Sequence, residues 1–232
     1  MKRNNVQVVR AIAFKQMVDM MRNKRSLLII FVFPIFFMLL NFLAPDEFGA
    51  DGSSFVLMHS ILVPILLMAT IVAEEKEKGT LKLLLMSGVK IYEYFLGIAI
   101  VIMGYVIIAM MLFEVAGATE NFDYGYVVAF TLAADLISLL IGAIIGGITK
   151  NQTNVGPVAV PIVLVIFFLP IIQMLKPDFI FASKYIYSGI LLEVMQKCSY
   201  STQDIVWMTI NFGVVLIMFL VVFRKKRIFV QS

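Results

Sequence analysis

Few residues of this 232-residue chain could do chemistry. Asp135 sits within a long apolar run, residues 126–148, and Glu114 sits near the end of another, residues 94–116. An ionisable group at membrane depth costs several kcal/mol, so it faces protein or water. Two readings stay open for both acids. One is a proton-relay acid or a contact for a cationic substrate. The other is a hydrogen bond to a neighbouring helix, or a side chain reaching the interface. His59, the only histidine, makes neither a metal site nor a catalytic triad by itself. The single cysteine, Cys198, excludes an intrachain disulfide and reads as a small, neutral residue. No metal site and no catalytic group are expected. A Gly-x-x-x-x-Gly-Lys-Ser/Thr phosphate loop is absent, and neither residues 142–147 nor Lys150-Asn151-Gln152 mimics one. Nothing in the chain therefore cradles nucleotide phosphates.

The most informative stretch is residues 74–89. Glu74-Glu75-Lys76-Glu77-Lys78 alternates charge directly after an apolar run, Gly79-Thr80 breaks the pattern, and Leu81, Leu83, Leu84 and Leu85 follow. Thr80 is expected to cap a short helix over residues 81–86 by accepting a backbone N–H, and Gly88 to end it. A short apolar helix projecting from a membrane domain is a docking element for a partner's groove.

The elements that must position these residues are membrane spans. Hydrophobic residues make up 61% of the chain and charged residues 15%, against about 45–50% and about 25% in soluble domains. Lipid is the solvent that accommodates so much apolar surface. Six runs are long enough to cross: residues 26–43, 55–73, 94–116, 126–148, 155–175 and 205–223. Alternate connecting segments, counting both termini, hold 16 of the 19 basic residues. That asymmetry places the N- and C-termini in the cytoplasm and explains the net charge of +4 without a nucleic-acid partner. No cleaved signal peptide is expected, because the first apolar run is long enough to span. The chain reads as all-α and as one domain over residues 1–232. Its parts are a cytoplasmic interfacial helix in 1–25, a six-span bundle in 26–223, and a basic cytoplasmic tail in 224–232.

Within 5–25, Val6, Val9, Ala13, Met17 and Met20 recur at helical spacing among Arg10, Lys15 and Arg22, the pattern of an amphipathic helix at the membrane surface. Residues 176–203 are too long and apolar for a simple loop, yet hold no run long enough to cross. Short helices dipping into the outer leaflet satisfy both facts. Gly142 and Gly146 form a small-xxx-small face for close helix packing. Pro34, Pro64, Pro161 and Pro170 lie within spans and suggest kinks.

The string Glu77-Lys78-Gly79-Thr80-Leu81, followed by Leu84 and Leu85, resembles the motif of type-2 (ABC-2, or type V) ABC transporter permeases, roughly Glu-x-Gly-Thr-x-x-x-Leu closed by a proline. Gly88 stands where the proline is expected. The span order, the basic N-terminal helix and the segment before the last span are also similar to that family. The resemblance implies a transmembrane subunit of an ATP-driven exporter in the cell membrane, with ATP and Mg bound by a separate ABC ATPase subunit and no cofactor bound by this chain. It implies that the short helix is a coupling helix seated in the ATPase. The energy-transducing residues would then be Glu77, Gly79, Thr80, Leu81, Leu84 and Leu85, with Arg10 and Lys15 from the N-terminal helix. It further implies a second permease chain, identical or a paralogue, and cargo moving between the two. The Phe-, Leu-, Ile- and Met-rich walls suit a peptide, drug-like or lipid-like cargo. Two alternatives remain: an ion-coupled secondary transporter using Asp135, with Asp135 and Glu114 on the path, and a membrane assembly scaffold. A membrane enzyme is disfavoured, since His, Ser and Asp are not grouped as hydrolysis requires.

Overall fold

A computed structural model describes residues 5–43, 52–117, 125–175 and 183–224. Among these residues there are nine α-helices, one 3-10 turn and no strand. The helices are α1 (Asn5–Arg22), α2 (Lys24–Leu43), α3 (Ser53–Glu77), α4 (Thr80–Met86), α5 (Ile91–Val115), α6 (Gly125–Ile148), α7 (Val155–Leu175), α8 (Tyr187–Lys197) and α9 (Thr202–Arg224); the 3-10 turn, Gln152–Asn154, leads into α7. Six of them, α2, α3, α5, α6, α7 and α9, are long and apolar enough to cross a membrane. They coincide with the six apolar runs, with ends shifted by a few residues. The main difference is α3, which continues through Glu77 where a loop was expected after Ala73. Its last, charged turn is helical because each charge finds a partner, as described below.

The centre of the bundle is α3, most of whose residues are buried; it packs on α6 above all, and on α7, α5, α2 and α8. The α3–α6 seam is a backbone-to-backbone approach. A Cβ on Gly142 would lie 2.6 Å from the Ile65 carbonyl oxygen, and one on Gly146 would lie 2.7 Å from that of Ala69. The small-residue face of α6 is thus used inside this chain, since only glycine leaves room for α3 there. By contrast α2 and α9 are peripheral, with most of their apolar residues exposed.

Two of the prolines within spans are matched by side chains from neighbouring helices. Proline cannot donate to the carbonyl four residues before it. The carbonyl freed by Pro34 is that of Ile30, and His59 Nε2 of α3 lies 3.1 Å from it. The carbonyl freed by Pro170 is that of Ile166, and Ser188 Oγ of α8 donates to it at 2.8 Å. In lipid such carbonyls must be satisfied by protein. His59 is thereby a clasp between α2 and α3, its ring edge-on to Phe33 and Phe113.

Helix α1 is present over the predicted stretch, and one face of it packs on the bundle. Ile12, Gln16 and Met20 are buried, whereas Val6 and Met17 are exposed. The packed face is set by a notch at Gly97 on α5, where a Cβ would stand 2.7 Å from Ile12 Cγ2. Asn23 separates α1 from α2, and its side-chain oxygen accepts the Arg25 N–H at 3.1 Å as a cap. Between the fifth and sixth spans the described residues contain one α-helix, α8. Nearly all its apolar residues are buried, and it packs on α6, α3, α7 and α9. Phe179, Ile180 and Phe181 lie outside the described residues.

Candidate functional site

The charged end of α3 meets α1, the C-terminus of α6 and the 3-10 turn at one end of the bundle, here the basic end. Every residue of the Glu74–Lys78 run is committed to a contact. Glu74 accepts from Lys78 one turn on, which raises the Lys78 pKa through that hydrogen bond and its charge. Glu75, buried, pairs with Lys15 of α1, which also lies 3.6 Å from Asp19. Lys76 donates to the carbonyls of Gly147 and Thr149, both at 2.7 Å, so a cation sits on the C-terminus of α6. Glu77 accepts the Gln152 N–H of the 3-10 turn at 2.9 Å. The run therefore ties three other elements to the end of α3.

Gly79 then turns the chain. Its φ of 71° and ψ of 1° are left-handed, and its N–H bonds to Lys76 O at 3.1 Å. This is the C′ position of a helix-ending motif, which glycine occupies without strain. Thr80 does not cap α4 by accepting an N–H, as expected from the sequence. It is the first residue of α4, and its hydroxyl donates to the Glu75 carbonyl at 3.0 Å. The left-handed Gly79 already places the chain, so the hydroxyl instead takes a carbonyl left open where α3 ends. Gly88, with φ of 90°, ends α4 as predicted. Its N–H bonds to Leu85 O and that of Val89 to Leu84 O, both at 3.1 Å, a Schellman closure. Glu93 then accepts the Lys90 N–H at 2.8 Å and starts α5. A seven-residue helix is thus fixed at both ends by glycine turns.

The leucines of α4 divide between two faces. Leu81 is 1% exposed, and Leu84 and Leu85 are half-buried against the core. Leu83 and Met86 point outward at 65% and 75% exposure, with Lys82 exposed beside them. The three leucines expected to couple, Leu81, Leu84 and Leu85, all seat α4 on its own bundle. The free apolar tip is formed by Leu83 and Met86, which the sequence reading did not single out. Helical spacing carried the signal: 81, 84 and 85 share one face, and 83 and 86 the other. Lys15 is brought to the elbow between α3 and α4 by its pairing with Glu75, whereas Arg10 is exposed on α1 away from its buried face.

Asp135 and Glu114 are not brought together. Asp135 is fully buried at the α3–α6 seam, where Ser60 is its polar neighbour. Among the described residues, neither its carboxylate oxygens nor the Ser60 hydroxyl makes a well-formed hydrogen bond. Glu114 is exposed in the last turn of α5. No group of three or more His, Cys, Asp or Glu able to hold a metal occurs among the described residues.

No curated protein matches this chain. Residues 52–224, from the residue before α3 to the end of α9, match the family described as ABC-2 family transporter protein. With six helices able to span a membrane and that match over most of its length, the chain belongs to the ABC-2 transporter family and is a multi-pass membrane permease subunit of an ABC transporter.

Proposed function

We propose that this permease is the transmembrane half of an exporter, and that α4 is its coupling helix, seated in a cleft of a separate ABC ATPase that binds ATP and Mg. The observation that carries the reading is the outward pair Leu83 and Met86 on a helix locked to α3 by Gly79 and Thr80. An exposed apolar tip on a rigid elbow suits a partner's groove. The basic end then faces the cytoplasm, as the asymmetry of Lys and Arg suggests. Both termini lie on that side in the cell membrane. Two permease chains, identical or paralogous, pair, and cargo passes between them. The apolar bundle suits an amphipathic or hydrophobic cargo, whether peptide, drug-like or lipid-like.

The test is co-purification of the tagged chain from its native membrane, comparing wild type with a Leu83→Asp, Met86→Asp variant. Both positions are exposed, so the variant should keep the fold, which its thermal unfolding checks. An ABC ATPase that accompanies wild type and is lost with the variant supports the assignment. If the ATPase is retained at wild-type level, α4 is not the coupling element.

A further inference from the structure

A cavity of about 780 Å³ opens beside the elbow, between α1, the start of α2, α3 and the start of α7. Its volume lies in the range of sites that hold small molecules, about 300–1,000 Å³. We propose that it binds an anionic phospholipid of the inner leaflet, with the phosphate between Arg22 and Arg25 and an acyl chain on the apolar floor. The inference rests on the orientation proposed above.

Charge accounting supports the anionic head. Three carboxylates and four cations line the cavity. Glu74 is paired with Lys78, and Glu75 and Asp19 are both paired with Lys15. Arg22 and Arg25 are left without a carboxylate partner among the described residues. The lining keeps a net charge of +1, since Lys15 serves two carboxylates, and each of the two guanidinium groups offers a planar fork of donors that suits a phosphate. The floor is of the opposite character. Ile29 of α2 and Leu66 and Ile71 of α3 belong to helices long enough to cross a membrane, while both arginines stand at the α1–α2 junction. A ligand that fills the cavity must be anionic at one end and apolar at the other. A phospholipid in contact with that surface has this form, and basic pockets between spans on the cytoplasmic side are suited to it. The wall also includes Glu74, Lys78 and Thr80 of the elbow. A bound lipid therefore touches the element proposed to contact the ATPase.

The experiment measures lipid retained by the full chain, purified in neutral detergent with whatever subunits accompany it. Phosphatidylglycerol and phosphatidylcholine are added in turn, and bound lipid is counted by native mass spectrometry. Wild type should retain phosphatidylglycerol at least about tenfold better than an Arg22→Gln, Arg25→Gln variant, at roughly 1 kcal/mol for each basic residue. An Arg224→Gln control should equal wild type. Leu66→Trp, which fills the floor and leaves the head site intact, should also reduce retention. Inorganic phosphate should not displace the lipid, since it lacks the apolar part. Equal retention by wild type and the double arginine variant, or equal retention of phosphatidylcholine, would overturn the proposal. Displacement by inorganic phosphate would do the same. Lipid is counted on the permease without nucleotide. Loss of the ATPase and loss of the lipid are therefore separate results.

Discussion

The elbow at Gly79 makes a quantitative prediction. In Gly79→Ala the new Cβ meets no atom within 4 Å, so no clash contributes. What remains is the backbone. With φ at 71° the residue is left-handed, which costs an L-residue with a side chain about 1–2 kcal/mol. That is a factor of about 5–30 in any equilibrium that requires the turn. The strain is local to the elbow, whereas the α3–α6 seam and the proline clasps lie elsewhere. Affinity for the ATPase should therefore fall by about 5–30-fold, while the thermal midpoint of the bundle changes little. Gly79→Asn should lose less than Gly79→Ala, because asparagine tolerates the left-handed region. Gly104→Ala is the control: it lies inside α5 with no atom within 4 Å. It should bind like wild type and be equally or more stable. The assay is binding of purified ATPase to the immobilised permease, with thermal unfolding run alongside. Wild-type affinity in Gly79→Ala, or an equal loss in Gly104→Ala, would refute the reasoning.

Ser188→Ala should leave the carbonyl freed by Pro170 unpaired and cost about 1–3 kcal/mol in thermal unfolding. In a Pro170→Ala background, where a helical N–H returns to Ile166, that cost should shrink; strictly additive losses would show that the clasp does not work this way. Asp135→Asn should leave ATP-driven transport intact and the thermal midpoint little changed, because the amide replaces, at nearly equal volume, a buried carboxyl group that makes no well-formed hydrogen bond. Abolished transport in Asp135→Asn with ATPase binding preserved would favour an ion-coupled mechanism. Spin labels at the exposed Lys82 and Lys150 should keep their separation when nucleotide closes the ATPase, and a shift of several ångströms would contradict a rigid elbow.

The six spans were legible because a bilayer sets their length, and apolar runs of that length stand out from the charged segments between them. The short helix was legible for a related reason. Gly79 and Gly88 bracket it, and both take positive φ. The termination of α3 was not legible. Alternating charge reads as a solvated loop unless each charge has a partner, and the partners of Glu75, Lys76 and Glu77 are 60 to 75 residues away. Which face of α1 packs on the bundle was not legible for a similar reason. Its own periodicity allows several faces, and the choice is made by the notch at Gly97 on another helix. Glu114 and Asp135 were grouped because both are acids near or within spans. Only the packing separates an exposed residue at a helix end from one sealed at the central seam.

The same contacts decide how displacement of α4 would spread. The left-handed turn at Gly79 is not a free pivot, because three hydrogen bonds close it: Lys78 N–H to Glu74 O, Gly79 N–H to Lys76 O, and the Thr80 hydroxyl to Glu75 O. With Leu81 buried as well, α4 is held to α3 as one body. Helix α3 is in turn locked to α6 at two places. One is the glycine seam, where backbone meets backbone and no side chain can yield. The other is Lys76, which holds two carbonyls at the α6 terminus. Interdigitated backbones are bistable rather than compliant. A push on Leu83 and Met86 is therefore expected to move α3 and α6 together rather than to bend α4 on α3. On this reading Asp135 is part of the seam and moves with the pair.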